Sequence, residues 1–326
     1  MVSIIIVNWN GKKWLAGCLE AVFNQSYRDI EVIVVDNNSS DDSLDFIRAN
    51  YPQIKVVENS SNLGFGRANN IGVKKSAGNT LFFLNNDTLM EGNLIEDLLQ
   101  EKLAKSANIV GPKILDYEKN DIYQSRKISI DCTGYLGWGK RTFFVEGCAL
   151  MIDKTDFLKL GGFDEKYFMY SEDIDLCWRA WLCGMKVEIC DSVSLIHFGG
   201  GSSEATMLTK GKRHVVPIFR RYEVEKNNLR NLLKNYSWFN LIWTVPMFLC
   251  QSFFEAAVYA VTGNFKASGA IWKAIWWNIL NIGDTMDKRQ AVQSGRKISD
   301  LHIFSRVNLR PNKIQALLAS GLPKFK

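Results

Sequence analysis

Apolar runs of strand length alternate with segments of helical spacing through residues 1–110, and this alternation leaves the chain few folds to adopt. Runs at 2–7, 30–35, 54–57 and 80–84 are short and apolar enough to be strands buried on both faces. Segments 12–24, 40–49, 65–75 and 94–105 space their apolar residues as helices do, and 109–110 adds a short strand. The rhythm predicts an α/β fold with a mostly parallel sheet and helices on both faces. Open sheets of this kind bind ligands beyond the carboxyl ends of their strands. Polar clusters stand at those ends: Asn8 and Asn10, then Asp36-Asn37-Asn38, then Asn85-Asn86-Asp87.

Each cluster has a chemical and a merely structural reading. Asp36, with Asn38 and the serines after it, can hold a ribose hydroxyl or a base N–H; the same residues also build a turn and a helix N-cap. Asn62-Leu63-Gly64-Phe65-Gly66-Arg67 allows close backbone approach at a helix start, which suits a phosphate. Arg67 either pairs with a diphosphate or stands in solvent. Asp87 is a hard oxygen ligand apt for Mg²⁺ or Mn²⁺ and needs a second protein ligand. His197, before the glycine loop 199–201, would complete an N/O pair with it; a lone histidine is otherwise structural. Ser171-Glu172-Asp173 opens a helical segment with Ser171 as the N-cap. Glu172 and Asp173 cannot share a helix face, so one of them can be aimed at a site as a general base.

In order along the chain, these pieces resemble glycosyltransferase family 2 on the GT-A fold, nearest its rhamnosyltransferase-like subgroup. The matching elements are the run from Val2 to Asn10, Val35 to Ser40, Asn62 to Phe65, Leu84 to Asp87, Gly161 to Asp164, Ser171 to Asp175 and the His197 loop. The resemblance covers residues 1–205. It implies that Asp36 lies against the base or ribose and that Asn86 and Asp87 occupy the metal motif. It also implies that Asp173 is the general base beside Glu172 and that His197 can ligate the metal. Asn85 stands where the family's usual Asp-x-Asp has its first acid. The implied reaction is single displacement with inversion, from a nucleotide-diphosphate sugar such as dTDP-rhamnose or a UDP-sugar. The acceptor would be a hydroxyl of a glycan or lipid-linked sugar in cell-surface polysaccharide or glycoconjugate assembly.

Charge separates the chain into 1–210, a nucleotide-sugar domain, and 211–326, a basic and aromatic helical region. The first carries 22 basic and 28 acidic side chains and the second 18 and 6, net charges of −6 and +12. In the second, 238–262 is long enough to cross a bilayer, yet Asn240, Thr244, Gln251 and Glu255 form a polar stripe and Pro246 interrupts it. Ile271, Trp272, Ile275, Trp276, Ile279 and Leu280 make another apolar face. Flanked by Arg220, Arg221, Lys226, Arg230, Lys234 and Lys266, the pair suits a hairpin docked on an anionic membrane surface. A true span or an oligomer contact would use the same features. Nucleic acid is disfavoured, because the aromatics cluster instead of alternating with basic residues. Seven cysteines without a Cys-x-x-Cys pair read as free thiols in a reducing cytosol, and residues 2–7 read as a strand and not as a signal peptide. The expected location is the cytoplasm, peripheral on the cytoplasmic face of the membrane. Two rival functions are a sugar-nucleotide nucleotidyltransferase and a non-catalytic nucleotide-sugar binding protein. The first lacks its glycine-rich basic signature after the opening strand; the second would not need Asp87 and Asp173.

Overall fold

A computed structural model describes residues 1–116, 127–139, 141–199, 215–313 and 324–325. The chain begins β1 (Val2–Asn8), α1 (Lys12–Phe23), β2 (Ile30–Asp36), α2 (Ser43–Asn50), β3 (Lys55–Glu58), α3 (Phe65–Lys75) and β4 (Thr80–Asn85). It continues through β5 (Thr88–Met90), α4 (Leu94–Ala104), β6 (Ile109–Asp116), β7 (Lys127–Ile130), β8 (Leu136–Gly139) and β9 (Ala149–Asp153). Then come α5 (Lys154–Lys159), α6 (Glu172–Leu182), β10 (Val187–His197), β11 (Val215–Val216) and α7 (Ile218–Asn235). The remainder is α8 (Trp238–Val261), α9 (Phe265–Leu280), α10 (Ile282–Ser294), α11 (Asp300–Phe304) and β12 (Lys324–Phe325). Two compact units interleave along the chain, because 126–143 and 178–184 group with the residues after 204. The glycine loop from Gly200 onward and the expected boundary at 210/211 lie outside the described residues.

The first unit is built on an eight-stranded sheet of order β3-β2-β1-β4-β9-β6-β10-β5. β3, β2, β1 and β4 run parallel, as do β6 and β10. Alternation within each strand fills both faces. Ile4, Ile6, Phe82 and Leu84 pack with α1 and α4, while Phe83 turns the other way, its ring centroid 5.0 Å from that of Phe157. Gly72 of α3 lets that helix sit directly on β1, since a Cβ there would lie 2.5 Å from Ile5. The sequence expectation of a mostly parallel sheet with helices on both faces holds, with two strands reversed. β9 is antiparallel to both β4 and β6, and β5 is antiparallel to β10. An antiparallel strand starts where its parallel neighbours end. Leu84 pairs with Ala149, so the residues just before β9 arrive at the edge where the polar clusters stand.

The helical unit inverts the usual arrangement. α7 is polar, yet Glu223, Glu225, Lys226, Arg230 and Lys234 on it are all buried, as are six residues of the same helix that are asparagine or leucine. α8 turns Thr244 and Ser252 inward and Phe239, Ile242 and Phe254 outward. Glu225 accepts hydrogen bonds from Tyr135 Oη at 2.7 Å and Lys313 Nζ at 2.9 Å, and Arg221 joins it and Glu255. The basic residues expected to face an anionic surface are therefore mostly withdrawn from it. Lys226 pairs with Glu223 and Arg230 with Asp284, and Lys234 is 1% exposed.

This buried cluster makes the unit sensitive to acid. Burial alone pushes the Glu225 carboxyl up. The Lys313 ammonium, the Arg221 guanidinium and the Ser252 and Tyr135 hydroxyls outweigh it and bring the group from 4.5 down to about 2. A depressed carboxylate stabilises the fold above its ordinary value, and that contribution is lost as pH falls from about 4.5 toward 2. The expected loss is on the order of 3 kcal/mol over that window. Urea unfolding followed by tryptophan fluorescence checks it. Glu225→Gln should be less stable than the parent at pH 6 and should converge with it near the acid end; a constant gap refutes the assignment.

Candidate active site

The register of the parallel strands sets Asn8 beside Asp36. Asn8 Nδ2 donates to Asp36 Oδ1 at 2.9 Å and to Ser39 Oγ at 3.1 Å, while Asn86 Nδ2 donates to Asn8 Oδ1 at 2.8 Å. Ser39 closes the cluster: its backbone N–H and hydroxyl donate to Asp36 at 2.8 and 2.6 Å. Asn8, Asp36 and Asn86 are buried, at 0%, 1% and 4% exposure. Gly11 leaves room for this cluster, because a Cβ there would fall 2.0 Å from the Asn86 amide and 2.4 Å from that of Asn8 and push both out of it. Asn10 and Asn38 form the exposed rim, at φ of +50° and +61° that asparagine tolerates. Asn10 Oδ1 accepts from the Ser40 N–H at 2.7 Å, fixing the loop.

A second loop abuts the first. Asn37 Nδ2 donates to Asn62 Oδ1 at 3.2 Å and to the Gly64 carbonyl at 3.1 Å. Gly64 has φ +79°, and a Cβ there would collide with the Phe168 carbonyl at 2.2 Å. The Phe65 N–H donates to that same carbonyl at 2.8 Å, tying this loop to the segment before α6. Asn62 and Gly64 thus shape the wall. Arg67 lies half-exposed in the first turn of α3, its Nε 3.7 Å from Glu165. That is a surface ion pair of little strength, so a competing diphosphate can take the side chain.

Asp87 and His197 come together, Oδ1 to Nε2 at 3.2 Å, with Asn85 Nδ2 also 3.2 Å from the ring nitrogen. β5 achieves this by pairing antiparallel with β10, which places Thr88 opposite His197. Burial lowers the imidazole's affinity for a proton; the Cys148 sulfur and the Asp87 carboxylate outweigh it, and His197 sits well above its ordinary value. Burial also pushes the Cys148 thiol up, so that sulfur is neutral at pH 7 and Asp87 is the charge that holds the proton. No cluster of three or more His, Cys, Asp or Glu suited to a metal occurs among the described residues. The pair nonetheless fits Mg²⁺ or Mn²⁺, which commonly take one or two protein ligands and complete their shell with substrate phosphates and water.

The third part is the entrance to α6. Tyr170 and Ser171 are both left-handed, with φ of +72° and +65°, so Ser171 does not have the extended backbone of an ordinary N-cap. After that turn Glu172 is buried at 7% and Asp173 is half-buried. Asp173 Oδ2 accepts from the Gly147 N–H at 2.9 Å and Oδ1 from the Ile174 N–H at 2.7 Å. Burial raises its carboxyl above the ordinary value, and those backbone hydrogen bonds pull the other way. Next to Gly147, at the edge reached through β9, stands a residue the sequence reading missed. Glu146 is pushed up to about 7, first by burial, with His197 opposing and Asp173 adding to the shift. The apolar residues of β9 do not tell the strand's direction; only the antiparallel pairing shows that the residues before it belong to the site. Cys148, beside His197, escapes the sequence for the same want of spatial information.

Residues 3–175, just over half of the chain, match the family model described as Glycosyl transferase family 2. The chain belongs to that family. This family 2 chain is 25% identical over 265 residues to the "Rhamnosyltransferase WbbL" of Escherichia coli (strain K12), covering 71% of itself and 96% of that protein. It is 28% identical over 124 residues to the "Glycosyltransferase GlyG" of Streptococcus pneumoniae serotype 4, covering 37% and 41%. It spans less than two thirds of the length of the first curated relatives it matches, 41% and 58%. S. aureus TarS 1-349 in complex with UDP-GlcNAc superposes with a TM-score of 0.59 at 16% identity, covering 89% of this chain and 81% of that one. GalNAc-T7 with UDP, GalNAc and Mn²⁺ gives 0.57 at 18% identity, covering 72% and 48%. These likenesses show the fold, and it is GT-A.

Proposed function

We propose that this family 2 chain is an inverting glycosyltransferase that moves a sugar from a nucleotide diphosphate to a hydroxyl of a glycan or lipid-linked acceptor. One observation carries the reading. The half-buried Asp173 carboxylate, the Asn8–Asp36–Ser39 cluster and the Asp87–His197 pair all stand at one edge of one sheet. Asp36 and the neighbouring amides hold the base and ribose, and Arg67 and the Asn62–Gly64 loop face the diphosphate. Asp87 and His197 would hold Mg²⁺ or Mn²⁺, which when bound neutralises the leaving diphosphate as a Lewis acid. Asp173 accepts the proton of the acceptor hydroxyl as its oxygen bonds to the anomeric carbon from the opposite face. The bond from that carbon to the diphosphate oxygen breaks, and the nucleoside diphosphate leaves. Glu172, buried next to Asp173 in sequence, is the second acid of this pair and leaves Asp173 as the more exposed of the two. The donor is dTDP-rhamnose or a UDP-sugar, and the enzyme works in surface polysaccharide or glycoconjugate assembly on the cytoplasmic face of the membrane.

Incubation with UDP-, dTDP- and GDP-sugars plus Mn²⁺ tests the reading. The expected product is free nucleoside diphosphate with one preferred donor, and acceptor should accelerate its release. Pyrophosphate exchange with nucleoside triphosphate would replace this reading by nucleotidyl transfer. Tight donor binding with no turnover across acceptors would leave a binding protein.

A further inference from the structure

The outward face of the helical unit is the most unusual surface of the molecule. α8 turns Phe239, Ile242, Trp243, Phe253, Phe254 and Val261 outward, exposed between 37% and 85%, with no charged side chain among them. α9 continues the surface with Phe265, Trp272, Trp276, Ile279 and Leu280. The two faces are one patch, because the exposed rings of Phe253 and Trp272 stack at 5.1 Å across the helices. Behind it polar groups are buried too: Thr244, Ser252 and the Glu225 network point inward, beside a small apolar cluster of Ala256, Ile271 and Ile275. Soluble monomers seldom leave so much contiguous apolar surface in water.

We propose that this α8–α9 face embeds in the acyl boundary of a lipid bilayer, with both helices lying in the membrane plane. The inverted pattern is what a lipid-facing helix needs, with paired polar groups inside and hydrocarbon outside. Tryptophans at Trp238, Trp243, Trp272 and Trp276 suit the headgroup boundary. The only charged side chains exposed on α8 and α9 are Lys266 and Lys273, which can extend to lipid phosphates along their own stems. A second copy of the chain meeting this face would oppose lysine to lysine with no exposed acid to pair them. α8 has the length and composition to cross a membrane, but a crossing unit needs an apolar belt all round. α10 presents Asp287, Lys288 and Gln290 outward, so the unit is half wet. The attraction is therefore apolar, and anionic lipid is not required.

This deepens the membrane placement proposed above and is independent of the transfer chemistry. Cys250 lies exposed on the same face of α8 and is the one exposed cysteine of the seven, so it takes an environment-sensitive fluorophore without mutation. The labelled full chain is mixed with phosphatidylcholine vesicles and with phosphatidylcholine–phosphatidylglycerol vesicles. The expected result is a blue shift with both, quenching by spin label placed near the headgroup end of the acyl chain, and no release by high salt. Phe239→Ser, Phe254→Ser and Trp276→Ser remove exposed rings, and each should weaken partitioning by about 10-fold. Three results overturn the proposal: no binding to either vesicle; binding to anionic vesicles alone that salt reverses; or a dimer in buffer that Phe254→Ser dissolves. Donor-induced thermal stabilisation, measured on the same samples, reports the nucleotide site separately.

Discussion

Asp173→Asn should lower the transfer rate on the order of 10²- to 10⁴-fold while leaving donor affinity within about threefold of the parent. The substitution keeps the size of the side chain and removes its capacity to accept a proton. Two backbone N–H groups, of Gly147 and Ile174, now point at the carboxylate. An amide offers an oxygen to only one of them and turns its own N–H₂ toward the other, so a small loss of stability accompanies the loss of rate. The nucleotide cluster does not include Asp173, which is why donor binding is spared. The pH profile carries the same signature. Burial raises the Asp173 carboxyl, so the base is protonated and inactive at low pH and gains activity as pH rises through its titration. In Asp173→Asn that acid limb should vanish from the residual rate. Single-turnover measurements of transfer, with donor affinity followed by thermal shift, separate the two effects. Unchanged turnover in the variant removes Asp173 from the mechanism.

The parallel half of the sheet was legible because each of its strands is an apolar run ended by a polar cluster. Buried parallel strands impose that pattern, and the side-by-side register follows from it. α3 falls where the spacing of its apolar residues places it, 65–75. β9 was not legible as an antiparallel insertion. An apolar run has no direction in sequence, and Glu146 belongs to the site only because the strand enters from that edge.

The helical unit misleads for a different reason. Hydrophobic periodicity identifies the two faces of a helix but not which of them looks inward. Lys226, Arg230 and Lys234 read as a basic, solvent-facing helix, because charged side chains are almost never fully buried unless paired. Here Lys226 is paired with Glu223 and Arg230 with Asp284, partners 3 and 54 residues away along the chain. The charge split therefore describes composition correctly and the outward electrostatics poorly. Asn8 and Asp36 were singled out as separate strand ends, and only the sheet makes them one hydrogen-bonded cluster.

Removing divalent metal should abolish transfer, and Asp87→Ala and His197→Ala should each lose metal-dependent donor binding. Their side chains lie 110 positions apart in sequence and 3.2 Å apart in space. Asp87 and the Cys148 sulfur raise the imidazole's affinity for a proton, and ligation would require the neutral ring, so a metal and a proton would compete for His197. With two protein ligands, loss of either leaves a single side chain and the donor's own phosphates, too few to retain a hard cation that dehydrates reluctantly. The double variant should accordingly be no worse than either single one, which is the behaviour of two groups acting as a unit. Donor titrations with and without Mn²⁺ read the effect directly. The parent should gain affinity on adding the ion, whereas neither variant should, and metal-free affinity should be similar in all three. Asn86 provides the contrast. It donates to Asn8 and makes no ligand of the pair, so Asn86→Ala should weaken donor binding with and without metal alike. Full activity of the parent after exhaustive chelation with EDTA would defeat the metal assignment, and additive losses in the double variant would defeat the shared site.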